Sequence, residues 1–101
     1  MDPGRSDIFI ADVVTTIAGR DAGQLFYVVK VEQEYLYLVN GKDRTLEKPK
    51  RKKRKHTQLV LRSETRVAQK LIEGDKVLNG ELRRDLASMS RDMHSDDLGG
   101  F

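Results

Sequence analysis

Seven of the eight residues from Lys48 to Lys55 are Lys or Arg, and the eighth is Pro49. Ammonium and guanidinium groups at this density do one kind of chemistry well, the binding of phosphate oxygens. The chain has 19 basic and 16 acidic residues, and with the seven removed 12 basic face 16 acidic, a remainder of −4. A weakly acidic body carrying one dense cationic segment points to a polyanion, and nucleic acid is the foremost polyanion. If five to seven of these charges meet phosphates, log K falls with log salt at a slope of about −3.5 to −6. Phosphate contacts supply affinity and register, not base identity. A solvated loop has the same composition. Pro49 and mutual repulsion argue against an ordered strand or helix over Lys48, Lys50, Arg51, Lys52, Lys53, Arg54 and Lys55 before an anion binds.

Other residues could join this chemistry. Gly19-Arg20-Asp21-Ala22-Gly23 reads as a tight turn, where Gly19 and Gly23 supply positive φ and Asp21 can bond local backbone amides. Arg20 can fork onto phosphate or guanine, and it can equally be merely exposed. Lys42, Arg44 and His56 flank the run on either side. Tyr27, Tyr35 and Tyr37 offer rings to unpaired bases. At alternating strand positions, core is the expectation for at least two of them. Arg83 and Arg84 sit beside Asp85 and Glu81, which reads as an ordinary mixed-charge face. His94-Ser95-Asp96-Asp97 contains triad letters, but they are contiguous, whereas a triad needs convergent groups from separated positions. His56 and His94 have no metal-ligand spacing, and no Gly-rich loop opens a helix after a strand. The expectation is no enzyme, no metal, no cofactor and no small-molecule substrate.

The elements that hold these residues follow from periodicity. Residues 1–6 read as a flexible arm, and a first strand region lies in Ile8–Val14. Leu25–Val31 is a second strand, with Leu25, Tyr27, Val29 and Val31 on one face and Phe26, Val28 and Lys30 on the other. Glu32-Gln33-Glu34 turns into a third strand, Tyr35–Val39. Asn40-Gly41 favours a two-residue hairpin, which predicts a partner strand near Asp43–Glu47. The basic run follows as a loop, and Gln58–Arg62 returns from it. Beyond Ser63, a good N-cap, Val67, Ala68, Leu71 and Ile72 share a helical face that ends at Gly74. A second helix starts with Asn79 as N-cap, Leu78 in a staple position, and a stripe of Leu82, Leu86 and Met89. The layout is an arm at 1–6, a small barrel at 7–62 with its basic loop at 48–55, two helices packed on it at 63–89, and a disordered tail at 90–101. The fold class is mainly β with C-terminal α.

The segment Val13 to Val31 resembles a KOW motif, in which an apolar strand, a glycine turn and a second apolar strand follow one another. Where the generic motif has a third glycine, this chain has Phe26. Gly19-Arg20-Asp21-Ala22-Gly23-Gln24-Leu25-Phe26 looks like the turn of archaeal and eukaryotic large-subunit ribosomal proteins of the fourteen, six and twenty-seven type. Asn40-Gly41-Lys42, Arg44 with Leu46, Lys48-Pro49-Lys50 and a basic run ending at His56 follow in the same order. The resemblance covers Phe9 to Leu61 and implies an SH3-like barrel whose basic segment contacts ribosomal RNA. Short stand-alone chains of this type also occur in bacteria.

These readings converge on an RNA-binding protein that is ribosomal or ribosome-associated and monomeric when free. A transcription-type KOW module binding DNA or RNA polymerase, or a protein-interaction adaptor, is the alternative. Adhesion to anionic lipid is weakest, for want of an apolar anchor. The chain has no cysteine, and no apolar stretch approaches the about 20 residues that cross a bilayer. Met1–Asp7 has no apolar core of a signal peptide. A cytoplasmic location is expected.

Overall fold

β-Branched and aromatic residues recur in four of the five strands of a computed structural model that describes residues 7–20 and 22–99, with the backbone alone for 94–99. The expected arm, Asp21 and residues 100 and 101 lie outside the described residues. The strands are β1 (Asp12–Thr16), β2 (Leu25–Val31), β3 (Tyr35–Val39), β4 (Lys50–Lys53) and β5 (Thr57–Arg62). A 3-10 turn, Arg54–His56, joins β4 to β5, and helices α1 (Arg66–Glu73) and α2 (Asn79–Gly99) follow. All five strands form one antiparallel sheet in the order β4-β3-β2-β1-β5. The chain is thus mainly β with C-terminal α. The expected barrel does not close, since β4 and β5 are the two edges of the sheet.

The open sheet is nonetheless curled. In a flat five-stranded sheet the edges lie about 19 Å apart. Here the edges are joined by a three-residue 3-10 turn, which advances only about 2 Å per residue. The two edges therefore converge at that corner. Two bulges supply the bend, one between Val13 and Val14 against β5 and one between Val28 and Lys30 against β3. The curl encloses a core of Ile8, Val14, Phe26, Val28, Leu36 and Leu38, to which neither helix contributes. The opposite face buries Val13, Tyr27 and Val39 under Val67 and Ala68 of α1 and Leu82, Leu86 and Met89 of α2.

The bulge at Val29 overturns the expected alternation along β2. Tyr27 still pairs with Val39 on the helix-covered face, but past the bulge Lys30 pairs with Tyr37 and Val31 with Leu36. Val31 therefore packs on the enclosed core, and Lys30 emerges beside Tyr37. One further extended residue would have put Lys30 against the enclosed core.

The helices dock through polar anchors as well as apolar stripes. Tyr27 Oη donates to Asp85 Oδ2 and lies 2.8 Å from Ser63 Oγ and 3.2 Å from Thr65 Oγ1. Burial first, and then the Asp85 hydrogen bond, push the Tyr27 phenol up to about 12. Lys70 Nζ meets Glu81 Oε1 at 2.8 Å and ties α1 to α2. That ammonium, with the Leu78 N–H, holds the Glu81 carboxyl below its ordinary value.

Several local expectations shift. The first strand begins at Asp12 rather than Ile8, because Ala11 adopts φ 74° and breaks the extended run. Phe9 and Ile10 are exposed as a result. The N-cap of α1 is Thr65, whose Oγ1 accepts from Ala68 N, whereas Ser63 Oγ accepts from Thr65 N one step earlier. Gly74 ends α1 in the left-handed conformation, as expected. Ile72 and Leu78 are exposed rather than packed. Asn79 is the first residue of α2 instead of its cap, and Glu81 Oε2 accepts from Leu78 N in the manner of a capping box. α2 continues to Gly99, past Ser90 where the sequence loses periodicity. A helix already nucleated and packed through Met89 extends at little cost without an apolar stripe. Among the described residues, no helix is long and apolar enough to cross a membrane.

Candidate nucleic-acid interface

The structure corrects the reading of the basic run as an unstructured loop. Lys50–Lys53 is edge strand β4, and Arg54–His56 is the 3-10 turn. Alternation explains why charge does not prevent order. Successive side chains point to opposite faces, so same-face cations sit about 7 Å apart. At that distance two charges repel by about 0.6 kcal/mol in water, and less with salt. The ladder to β3 pairs Leu38 with Lys50, Tyr37 with Arg51, Leu36 with Lys52 and Tyr35 with Lys53. Each backbone hydrogen bond contributes about 0.5–1.5 kcal/mol net, enough to outweigh the repulsion. Charge on an edge strand also discourages pairing with other chains.

The expected strand near Asp43–Glu47 is displaced to Lys50–Lys53 by Asn40. Its Oδ1 accepts from Lys42 N and Arg44 N, both at 3.0 Å, and its Nδ2 donates to Asp43 Oδ1 at 2.8 Å. Asn40 N and Gly41 N both donate to the Arg44 carbonyl. A loop wound by one side chain replaces the two-residue turn. Its Leu46 N donates to Asn79 Oδ1 at 2.8 Å, and Gly41 (φ 78°) lies under the first turn of α2. The Asn40 amide holds the Asp43 carboxyl below its ordinary value.

The basic segment has a different partner on each face. Lys50 and Lys52 stand on the side of Leu38 and Leu36, at the rim of the enclosed core, and both are half-buried. Lys52 Nζ donates to the Ala18 carbonyl at 3.4 Å, which brings the Gly19 turn and the basic strand together at one end of the sheet. Ile17 N donates to the His56 carbonyl at 3.0 Å and closes the same corner. Arg20 is exposed there. Arg51 and Lys53 stand with Tyr37 and Tyr35 on the other face and are exposed. The Arg51 guanidinium lies 3.6 Å from the centroid of the Tyr35 ring, and Lys30 Nζ is 5.0 Å from that of Tyr37. Glu32 sits within 3.7 Å of Arg51 and 3.8 Å of Lys30, and accepts from Tyr37 Oη at 3.3 Å.

Arg54 behaves differently from its neighbours. Its guanidinium donates to the Glu32 carbonyl at 2.8 Å and the Gln33 carbonyl at 3.3 Å, and its N–H donates to the Glu34 carbonyl. It clamps the β2–β3 turn, so its first role is architectural. Lys42 and Lys48 are exposed on the Asn40 loop, with Arg44 and His56 half-buried. Of the three tyrosines Tyr27 is fully buried, whereas Tyr35 and Tyr37 are half-buried. Lys30 and Glu32 complete the cluster and were not candidates in the sequence. The only signal for them was their proximity to a strand turn, and the Val29 bulge that aims Lys30 leaves no trace in the alternation.

Among the described residues, no three His, Cys, Asp or Glu side chains cluster as metal ligands. Comparison with protein-family models and with curated proteins gives no match. The resemblance to KOW proteins therefore stands on the motif residues of this chain.

Proposed function

We propose that this protein binds RNA, foremost ribosomal RNA, as a non-catalytic ribosomal or ribosome-associated factor of the cytoplasm. In this reading the curled sheet is an SH3-like KOW unit. The observation that carries it is the convergence of the cationic strand with the Gly19 turn through Lys52 and Ala18, 3.4 Å apart. Charge segregation in the sequence and the order of the motif residues support it. Arg20, Lys48, Lys50, Arg51, Lys52, Lys53 and Lys55 are the phosphate contacts in this reading, with Lys42, Arg44 and His56 at the margin. Arg54 contributes charge while holding the turn.

The test uses anisotropy titrations of ribosomal RNA fragments between about 50 and 300 mM salt. With five to seven of these phosphate contacts made, the log–log slope should be about −3.5 to −6. Replacing Lys50, Lys52, Lys53 and Lys55 with Gln, and leaving Arg54, should lower the slope's magnitude by about 0.7–0.9 for each phosphate no longer neutralised. An unchanged slope in a folded variant refutes the assignment. Preference for duplex DNA over RNA would favour the transcription-type alternative. Cosedimentation with the large subunit that disappears at high salt would mark a transient factor.

A further inference from the structure

We propose that Arg51, Tyr35, Tyr37 and Lys30 form a stacking platform for unpaired bases, so that the ligand is single-stranded RNA or a loop within structured RNA. The inference rests on the RNA-binding reading and adds the form of RNA recognised. Phosphate binding needs only cations, and β4 has them on both faces. On one face, however, Arg51 of β4 and Lys30 of β2 lie on rings. The Arg51 guanidinium is 3.6 Å from the Tyr35 centroid and Lys30 Nζ is 5.0 Å from that of Tyr37. The helices bury Val39 on this face but leave Tyr37 and Tyr35 half-exposed. Arg51 keeps 52% of its side-chain surface open to solvent. A guanidinium already seated on a ring presents its other planar face outward, and a base can stack on it without ordering a free side chain. Glu32 holds the arrangement from one side, within 3.7 Å of Arg51 and 3.8 Å of Lys30. Paired bases in an A-form helix offer no such face, so duplex RNA gains only the charge attraction.

Arg51→Lys separates stacking from charge, because it keeps the cation and removes the plane. Tyr35→Leu removes the ring beneath. The probes are a single-stranded RNA oligomer carrying 2-aminopurine and a duplex of the same sequence. Wild type should bind the single strand more tightly than the duplex and quench the 2-aminopurine. Arg51→Lys keeps the cation counted among the phosphate contacts, so it should weaken single-strand binding about tenfold and relieve the quenching while lowering duplex affinity far less. Tyr35→Leu should do the same, and circular dichroism establishes that it is folded. Should it not fold, Arg51→Lys decides alone, since Arg51 is exposed. Wild-type affinity of Arg51→Lys for the single strand, or equal wild-type affinity for both probes, overturns the platform and leaves the RNA reading standing. Absence of wild-type binding to either probe overturns both.

Discussion

Gly41 and Gly74 share a backbone conformation but not an environment, and substituting each with Ala separates two costs. Their φ angles are 78° and 76°, both left-handed. A Cβ at Gly74 meets nothing within 4 Å, so Gly74→Ala bears only the backbone strain. That strain is about 1–2 kcal/mol, partly offset by about 0.4–1 kcal/mol from a stiffer unfolded chain. A Cβ at Gly41 would sit 2.1 Å from the Asn79 carbonyl oxygen and 3.0 Å from Arg83 N. Both atoms are backbone of α2, so no rotamer relieves the overlap. The first turn of α2 must retreat, straining the 2.8 Å Leu46–Asn79 bond and the 2.9 Å Asn79–Glu47 bond and loosening Leu82, which is fully buried. Overpacking and weakened hydrogen bonds together add about 2–4 kcal/mol. Gly41→Ala should therefore be less stable than Gly74→Ala by about that amount. The assay is urea unfolding followed by circular dichroism at 222 nm, since the chain has no Trp to report by fluorescence. Equal losses in the two variants, within about 0.5 kcal/mol, would refute the close seating of α2 on the Asn40 loop.

Further outcomes follow from the same structure. Arg54→Gln should lose about 1.5–3 kcal/mol in urea unfolding because two turn carbonyls lose a charged donor, whereas exposed Lys53→Gln should stay within about 0.5 kcal/mol. Leu82→Ala opens a cavity between α2 and the sheet and should cost about 2–5 kcal/mol by the same assay. Tyr27 has a folded-state pKa raised from 10.0 to about 12, so the fold favours the neutral phenol. Its contribution is complete below pH 10 and is lost as pH rises toward 12. Wild type should accordingly lose about 2 kcal/mol relative to Tyr27→Phe between pH 9 and 12, read from unfolding curves at each pH. A constant gap would sink that assignment.

The cationic strand shows where a local reading stops. The charge density of Lys48–Lys55 is legible from composition alone. The conformation of the segment is not, because repulsion is visible in the sequence while the ladder to β3, which sets Lys52 against Leu36, is not. The arithmetic of repulsion against hydrogen bonding favours order only once that ladder exists. Arg54 illustrates the same limit. Its letter matches its neighbours, and only the turn carbonyls within 3.3 Å distinguish it.

The features legible in the residue pattern are those that short-range physics controls. The alternation places β3 at Tyr35–Val39, the left-handed stop falls at Gly74, and the stripe Leu82, Leu86 and Met89 is buried. Each depends on side-chain periodicity or on the φ of one residue. Tertiary structure alone decided the curl of the sheet, the Val29 bulge that turns Lys30 toward Tyr37, and the Tyr27–Asp85 anchor across 58 residues. It also brought Lys52 to the Gly19 turn across 34 residues. These depend on register and close approach between distant segments, for which a linear pattern carries no signal.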